Sequence, residues 1–369
     1  MTILGMNWPT VSTRSLCAAI NLLYYPSNSS KQYKPFFSRM FQKIERAVFE
    51  SLLEGASALG RLHPRSNPAK HGIEVLRDIA YQNTGRKEHL LDIYRPTKRQ
   101  HPGPVVFYVH GGGFEILSKN SHWLMALIFA KFGYTVVTIN YRLVPEGCFP
   151  IALQDTFAAY RWMAEHADQY DIDLERVVVA GESAGANLIS ALTIATCYQR
   201  QEAWAQTIWD LNVVPKVALP ACGLLQVSDP ERFIRQYPDL SHWFSKQISK
   251  VCTGYVSGDS PYLEDDLANP LLFFEKQLTP DRPLPATFAT CGTKDPLLDD
   301  TRRLVKALQD LNVAAEATYY QDGIHAFHAF VWLKIAKECW RDHYQFLEKH
   351  IGQVKVDDYD LKIIESLSK

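Results

Sequence analysis

Ser183 stands between glycines in Gly181-Glu182-Ser183-Ala184-Gly185, directly after the apolar run Val177 to Ala180 and before the helix-like stretch Ala186 to Leu192. A serine hydroxyl is a poor nucleophile unless it is held exposed and served by a base. A strand feeding a sharp turn, with small flanking residues and a helix after it, is the arrangement that exposes it. The chemistry this points to is acyl transfer. Cleavage of an acyl bond places negative charge on the former carbonyl oxygen, and fixed N–H donors in a water-poor site stabilise that charge by a few kcal/mol. His110-Gly111-Gly112-Gly113-Phe114, after the buried run Val105 to Val109, supplies such donors. The N–H groups of Gly112, Gly113 and Ala184 are therefore the expected oxyanion hole. A phosphate loop would need Gly-x-x-x-x-Gly-Lys-Ser/Thr, and no such lysine follows. His110 is read as a structural residue that holds the glycine loop.

The base and its orienting carboxylate should follow Ser183 in the order acid, then histidine, each at the end of a late strand. Asp295, in Gly292-Thr293-Lys294-Asp295-Pro296-Leu297, comes just after the strand-like Ala286 to Cys291. His325, in Asp322-Gly323-Ile324-His325-Ala326-Phe327, comes just after Ala314 to Tyr320. Asp299, Asp300 and His328 are the neighbouring rivals. They are expected to start helices, with the aspartates capping N–H groups and the histidine facing solvent. His325 and His328 lack the Glu- or Cys-rich partner motif that a metal pair would need, so neither metal nor cofactor is expected.

Those residues must be positioned by a fold of matching rhythm. Strand-like runs at Val75 to Gln82 and Leu90 to Tyr94, around the turn Asn83-Thr84-Gly85, predict an opening antiparallel pair. Beyond them strands and helices alternate: strand Val105 to Val109, helix Trp123 to Phe132, strand Tyr134 to Ile139, helix Ile151 to His166, strand Val177 to Ala180, helix Ala184 to Cys197. Later strands fall at Val217 to Ala221, Ala286 to Cys291 and Ala314 to Tyr320, with an amphipathic helix marked by Leu304, Leu308 and Leu311 between the last two. Unbroken Val and Ile runs indicate strands buried on both faces. The expected fold class is α/β, a mostly parallel central sheet flanked by helices.

Two regions depart from that rhythm. In residues 1–70, Phe37, Met40, Phe41, Ile44, Val48 and Leu52 form one apolar helix face, read as part of a helical cap. Charges there are mixed, which argues against a membrane-surface helix. Ser228 to Pro283 shows no strand–helix repeat and carries Phe233, Tyr237, Trp243, Phe244 and Tyr255, so 228–283 is read as a cap insertion within a catalytic domain at 71–351. Residues 352–369 are read as a polar C-terminal tail.

The chain has 369 residues, 47% hydrophobic and 21% charged, with 39 Lys plus Arg against 40 Asp plus Glu and a formal net charge of −1. Such a balance gives no electrostatic footprint for nucleic acid or an anionic surface. Seven scattered cysteines with no Cys-x-x-Cys spacing fit free thiols in a reducing, cytoplasmic compartment. Leu16 to Tyr25, after Arg14, lacks the basic start and cleavage site of a signal peptide, leaving secretion as the lesser reading. No apolar run approaches the roughly 20 residues of a bilayer span. The expected partner is a small-molecule ester; homodimerisation stays open.

Together these motifs resemble the hormone-sensitive lipase-like (family IV) branch of the α/β-hydrolases, whose esterases pair a His-Gly-Gly-Gly loop with a Gly-Asp/Glu-Ser-Ala-Gly elbow. Asn140-Tyr141-Arg142-Leu143-Val144-Pro145-Glu146, Phe149-Pro150, Leu153-Gln154-Asp155 and Asn269-Pro270-Leu271 extend the likeness from about Ile73 to Ile351. The resemblance implies an α/β-hydrolase fold, a cap from the N-terminal helices and the insertion, and carboxylesterase activity on short to medium acyl chains. Ala186 departs from a glycine found in many relatives, and Asp299-Asp300 from an Arg-Asp-Glu run. Tyr141, Arg142 and Glu146 are read as buried scaffold under the loop, and Glu182 as a structural hydrogen-bonding group. An amide hydrolase of the arylformamidase kind and a non-catalytic small-molecule receptor are the alternatives on the same fold.

Overall fold

Valine and isoleucine at successive positions leave neither face of a strand polar, and the sheet they build is covered on both sides. The computed structural model describes residues 66–98, 102–237, 242–257 and 262–354, with a few positions between 55 and 63. The apolar stripe from Phe37 to Leu52 and nearly all of the 352–369 tail lie outside the described residues.

The described strands are β1 (Ile73–Ala80), β2 (Leu90–Pro96), β3 (Gly103–Val109), β4 (Thr135–Ile139), β5 (Ile172–Glu182), β6 (Val217–Ala221), β7 (Ala286–Gly292) and β8 (Ala315–Tyr320). They form one sheet in the order β1-β2-β4-β3-β5-β6-β7-β8. β1 and β2 pair antiparallel, as do β2 and β4; every later pair is parallel. The opening pair expected from the sequence is present, although β1 begins two residues earlier, and β5 runs well beyond the apolar Val177 to Ala180.

Period-two alternation sorts the strand residues between two cores. Val105, Phe107, Val109, Val177 and Val179 face one apolar layer, and Val106, Tyr108, Val178, Ala180 and Leu219 the other. On the first side lie α2 (Ile151–Glu165), α3 (Ala184–Cys197) and α8 (Leu298–Asp310); on the second lie α1 (Trp123–Lys131) and α9 (Lys334–Ile351). Helix α9 was not singled out from the sequence. Its signal is the stripe Ala336, Cys339, Trp340, His343, Phe346 and Leu347, all buried at three- and four-residue spacings.

Between β6 and β7, where no strand–helix repeat was expected, the chain forms α5 (Arg232–Gln236), α6 (His242–Tyr255) and α7 (Pro270–Glu275). A further short helix, α4 (Ala203–Trp209), follows α3. No helix among the described residues is long and apolar enough to cross a membrane.

Candidate functional site

Parallel register sets the site. Val109 pairs with Gly181, Glu182 with Ala221, and Ala221 with Thr290, so the carboxyl ends of β3, β5, β6 and β7 finish side by side. In open α/β sheets this edge is where ligands bind. His110, Ser183 and Cys222 follow directly on the ends of β3, β5 and β6, and Asp295 comes three residues after the end of β7.

Ser183 links β5 to α3 with φ 52° and ψ −115°. That conformation costs a residue with a Cβ roughly 1–3 kcal/mol and persists only where the surroundings enforce it. Here they do. The Ser183 N–H donates to Ala221 O at 2.9 Å, and its carbonyl accepts from Leu224 N at 3.2 Å. Gly185 permits the tight packing that follows, since a Cβ there would stand 2.1 Å from Val109 O. Ala184 is the first residue of α3, where N–H groups have no partner within the helix.

The glycine loop turns sharply. Gly112 has φ 114°, Gly113 has φ 60°, and the Gly112 carbonyl accepts from both Glu115 N and Ile116 N at 3.1 Å. A Cβ at Gly112 would lie 2.1 Å from Ile116 O. Below the loop His110 is buried, its Nδ1 2.6 Å from Gly111 O, and its ring stacks on Tyr141 at 4.4 Å. Burial pushes the His110 pKa down to about 3, so it is a neutral strut, as expected of it. The Tyr141 hydroxyl donates to His110 O at 2.9 Å.

Asp295 and His325 meet at the far side. His325 Nδ1 lies 2.9 Å from Asp295 Oδ2, with the carboxylate closed to solvent and the imidazole 23% exposed. Asp295 Oδ1 accepts from Leu297 N at 2.9 Å, which fixes the carboxylate. Burial disfavours the His325 imidazolium, but the adjoining Asp295 charge and Cys222 outweigh it and raise its pKa well above the ordinary histidine value. Around this edge most side chains are buried, while Gly112, Gly113, Ser183 and His325 remain partly accessible.

Region 228–283 reaches over the glycine loop. Tyr255 of α6 stacks on Phe114 at 3.7 Å, Lys250 pairs with Glu115 at 3.2 Å, and Val251 is what a Cβ on Gly113 would meet, at 3.0 Å.

Several sequence readings are corrected. His328 does not face solvent: it is 4% exposed and its Nε2 lies 2.9 Å from Glu182 Oε2. Asp300 does sit in the first turn of α8, but it caps nothing there. It is fully buried and accepts from Arg232 Nη2, Leu225 N and Gln226 N. Glu146 is exposed and pairs with Arg86 at 2.7 Å, whereas Arg142 does hold Asp155 through two side-chain donors.

Glu182 joins three parts of the site. It is buried beside the nucleophile position, takes a 2.7 Å hydrogen bond from His122 Nε2, contacts His328 on the histidine loop, and closes under Gly111. Burial alone would raise its pKa, yet His122 and His328 overcome that and hold it well below the usual carboxylate value. His122 was missed from sequence; nothing in its local pattern marks it.

The sequence profile described as alpha/beta hydrolase fold matches residues 106–329. An acetyl esterase of Salmonella dublin is 30% identical over 247 residues, 66% of this chain and 71% of that protein. Among solved structures, esterase LipW from Mycobacterium marinum is 23% identical with a TM-score of 0.66, covering 83% of this chain and 88% of that one. An esterase from the bacterial hormone-sensitive lipase family is 24% identical with a TM-score of 0.64, covering 82% and 91%. With the profile spanning more than half of its length and the strand order above, this chain belongs to the α/β-hydrolase fold family.

Proposed function

We propose that the chain is a carboxylesterase in which Ser183 is the nucleophile, His325 the general base, Asp295 the orienting carboxylate, and the N–H groups of Gly112, Gly113 and Ala184 the oxyanion hole. One observation carries this reading: the buried Asp295 carboxylate 2.9 Å from His325 Nδ1, at the same sheet edge as the strained Ser183 turn. Asp295 fixes the ring so that its other nitrogen takes the Ser183 proton as the hydroxyl attacks the ester carbonyl. The two glycine N–H groups and the Ala184 N–H then face the oxyanion. His325 returns the proton to the departing alcohol, and water, deprotonated by the same ring, releases the acid from the acyl-enzyme.

Esters are favoured as substrates by the names of the relatives, acetyl esterase among them, which also points to short or medium acyl groups. Helix α6, docked on the glycine loop, supports residues 228–283 as part of a cover over the acyl pocket. The six described cysteines are all free thiols, in keeping with a reducing, cytoplasmic setting.

The test is Ser183→Ala on a p-nitrophenyl ester. A fall in kcat of roughly five to six orders of magnitude is expected, together with loss of fluorophosphonate labelling; turnover near that of the parent chain would overturn the assignment.

A further inference from the structure

Cys222 follows β6, one residue after the carbonyl that accepts the Ser183 N–H. Its φ of 39° is left-handed, and its own N–H is pinned to Thr290 O at 2.7 Å. The thiol is 1% exposed, and it converges on the acid–histidine pair. One donor atom each from Cys222, Asp295 and His325 lies within 4.8 Å of the other two. Thiol, imidazole and carboxylate are the donor types that zinc accepts, and a sulfur donor selects soft cations over magnesium or calcium.

We propose that Cys222, Asp295 and His325 form a binding site for a thiophilic divalent cation of the zinc and cadmium kind, whose occupancy switches the hydrolase off.

In a tetrahedral site with metal–ligand bonds of about 2.0–2.3 Å, donor atoms stand roughly 3.3–3.8 Å apart. The donors, none more than 4.8 Å from another, therefore need to draw together by about 1.5 Å at most. Charge also balances: a thiolate and a carboxylate neutralise the dication while the imidazole stays neutral, so no net charge is buried. Burial raises the Cys222 pKa, and the cation must displace the thiol proton, which leaves to solvent. The partly exposed edge of His325 gives an entry path, and a fourth position is left for water.

A cation on the ring nitrogen that faces Asp295 leaves the single imidazole proton on the other nitrogen, the one assigned to take the Ser183 proton, so the ring no longer acts as a base. It sits on the acid's side of His325 and leaves the acyl pocket open. Inhibition, unlike binding, rests on the proposed role of His325 as base.

The experiment separates the two. In the full-length Ser183→Ala chain, calorimetric titration with zinc chloride is expected to show one site per chain. Cobalt is expected to give thiolate charge-transfer absorption. Adding Cys222→Ala should weaken zinc binding by roughly 10- to 100-fold or more, the scale on which even outer partners tune metal affinity. Cys222→Ser serves the same purpose if the alanine variant fails to fold. In the active chain zinc should lower kcat with KM unchanged, reversibly on adding EDTA, and each variant is compared with its own metal-free rate. Equal zinc affinity with and without Cys222, or inhibition seen only as a rise in KM, overturns the proposal. Zinc bound through Cys222 without loss of kcat would overturn the switch and count against His325 as base, leaving the metal site standing.

Discussion

Arg232 Nη2 donates to both carboxylate oxygens of Asp300, at 3.0 and 2.7 Å, and the pair is almost wholly closed to solvent. It ties α5, in the region between β6 and β7, to the first turn of α8. Burial raises the Asp300 pKa against the pull of Arg232, so the pair exists at a desolvation cost. Removing one partner is worse than the pair itself. Asp300→Ala leaves a buried guanidinium and two backbone N–H groups without their acceptor. It should lower stability by about 3–5 kcal/mol, read from the urea midpoint. Arg232→Met combined with Asp300→Leu should recover part of that loss; a double variant weaker than the sum of its singles would contradict this account.

The raised His325 pKa sets the pH profile. A base works only when neutral, so activity falls as pH drops through that pKa. Because it stands above the ordinary 6.5, the acid limb of kcat/KM should have its midpoint above pH 6.5. Asp295→Asn removes the opposing charge and leaves burial to dominate. The limb should then move to lower pH while kcat falls by roughly 10³- to 10⁴-fold. A limb that does not move would show that Asp295 does not govern His325.

Gly112→Ala tests the loop by sterics alone. With φ at 114° and the new Cβ 2.1 Å from Ile116 O, the turn must open and carry its N–H groups off line. A loss of about 10²- to 10³-fold in kcat/KM is expected, together with a lower melting temperature, because the positive φ and the backbone clash strain the folded state. Unchanged kcat/KM would remove Gly112 from the oxyanion hole.

Glu182→Gln keeps the shape of the hub beneath Ser183 but not its charge. Stability should fall by about 1–3 kcal/mol at neutral pH. The folded-state pKa of Glu182 is depressed, so its contribution is present above the unfolded value near 4.5 and is lost as pH falls through the lower folded one. The gap between the two proteins, measured by urea unfolding, should therefore narrow below pH 4.5; a constant gap would mean that the charge is not what matters.

What sequence made visible has a physical pattern. Ser183, Gly112 and Gly113 lie in contiguous motifs because sharp turns need glycine nearby, while Asp295 betrays itself by following the buried strand β7 and His325 by following the edge strand β8. Asp300 and His328 were misread because their partners, Arg232 and Glu182, are remote in the chain, and local spacing cannot reveal which distant group neutralises a buried charge. Cys222 escaped notice for the same reason: its neighbours are supplied by strand register, from Ala221 paired with Thr290.

The strand leading into Ser183 is hydrogen-bonded on both sides, to β3 and β6, while β1 and β8 hold the rims. Amide protons of Val178 to Ala180 should exchange only when the whole chain opens, and those of β1 far sooner. The groups that fix Ser183 thus belong to the last part to let go, so thermal loss of the nucleophile turn and loss of the native state are one event.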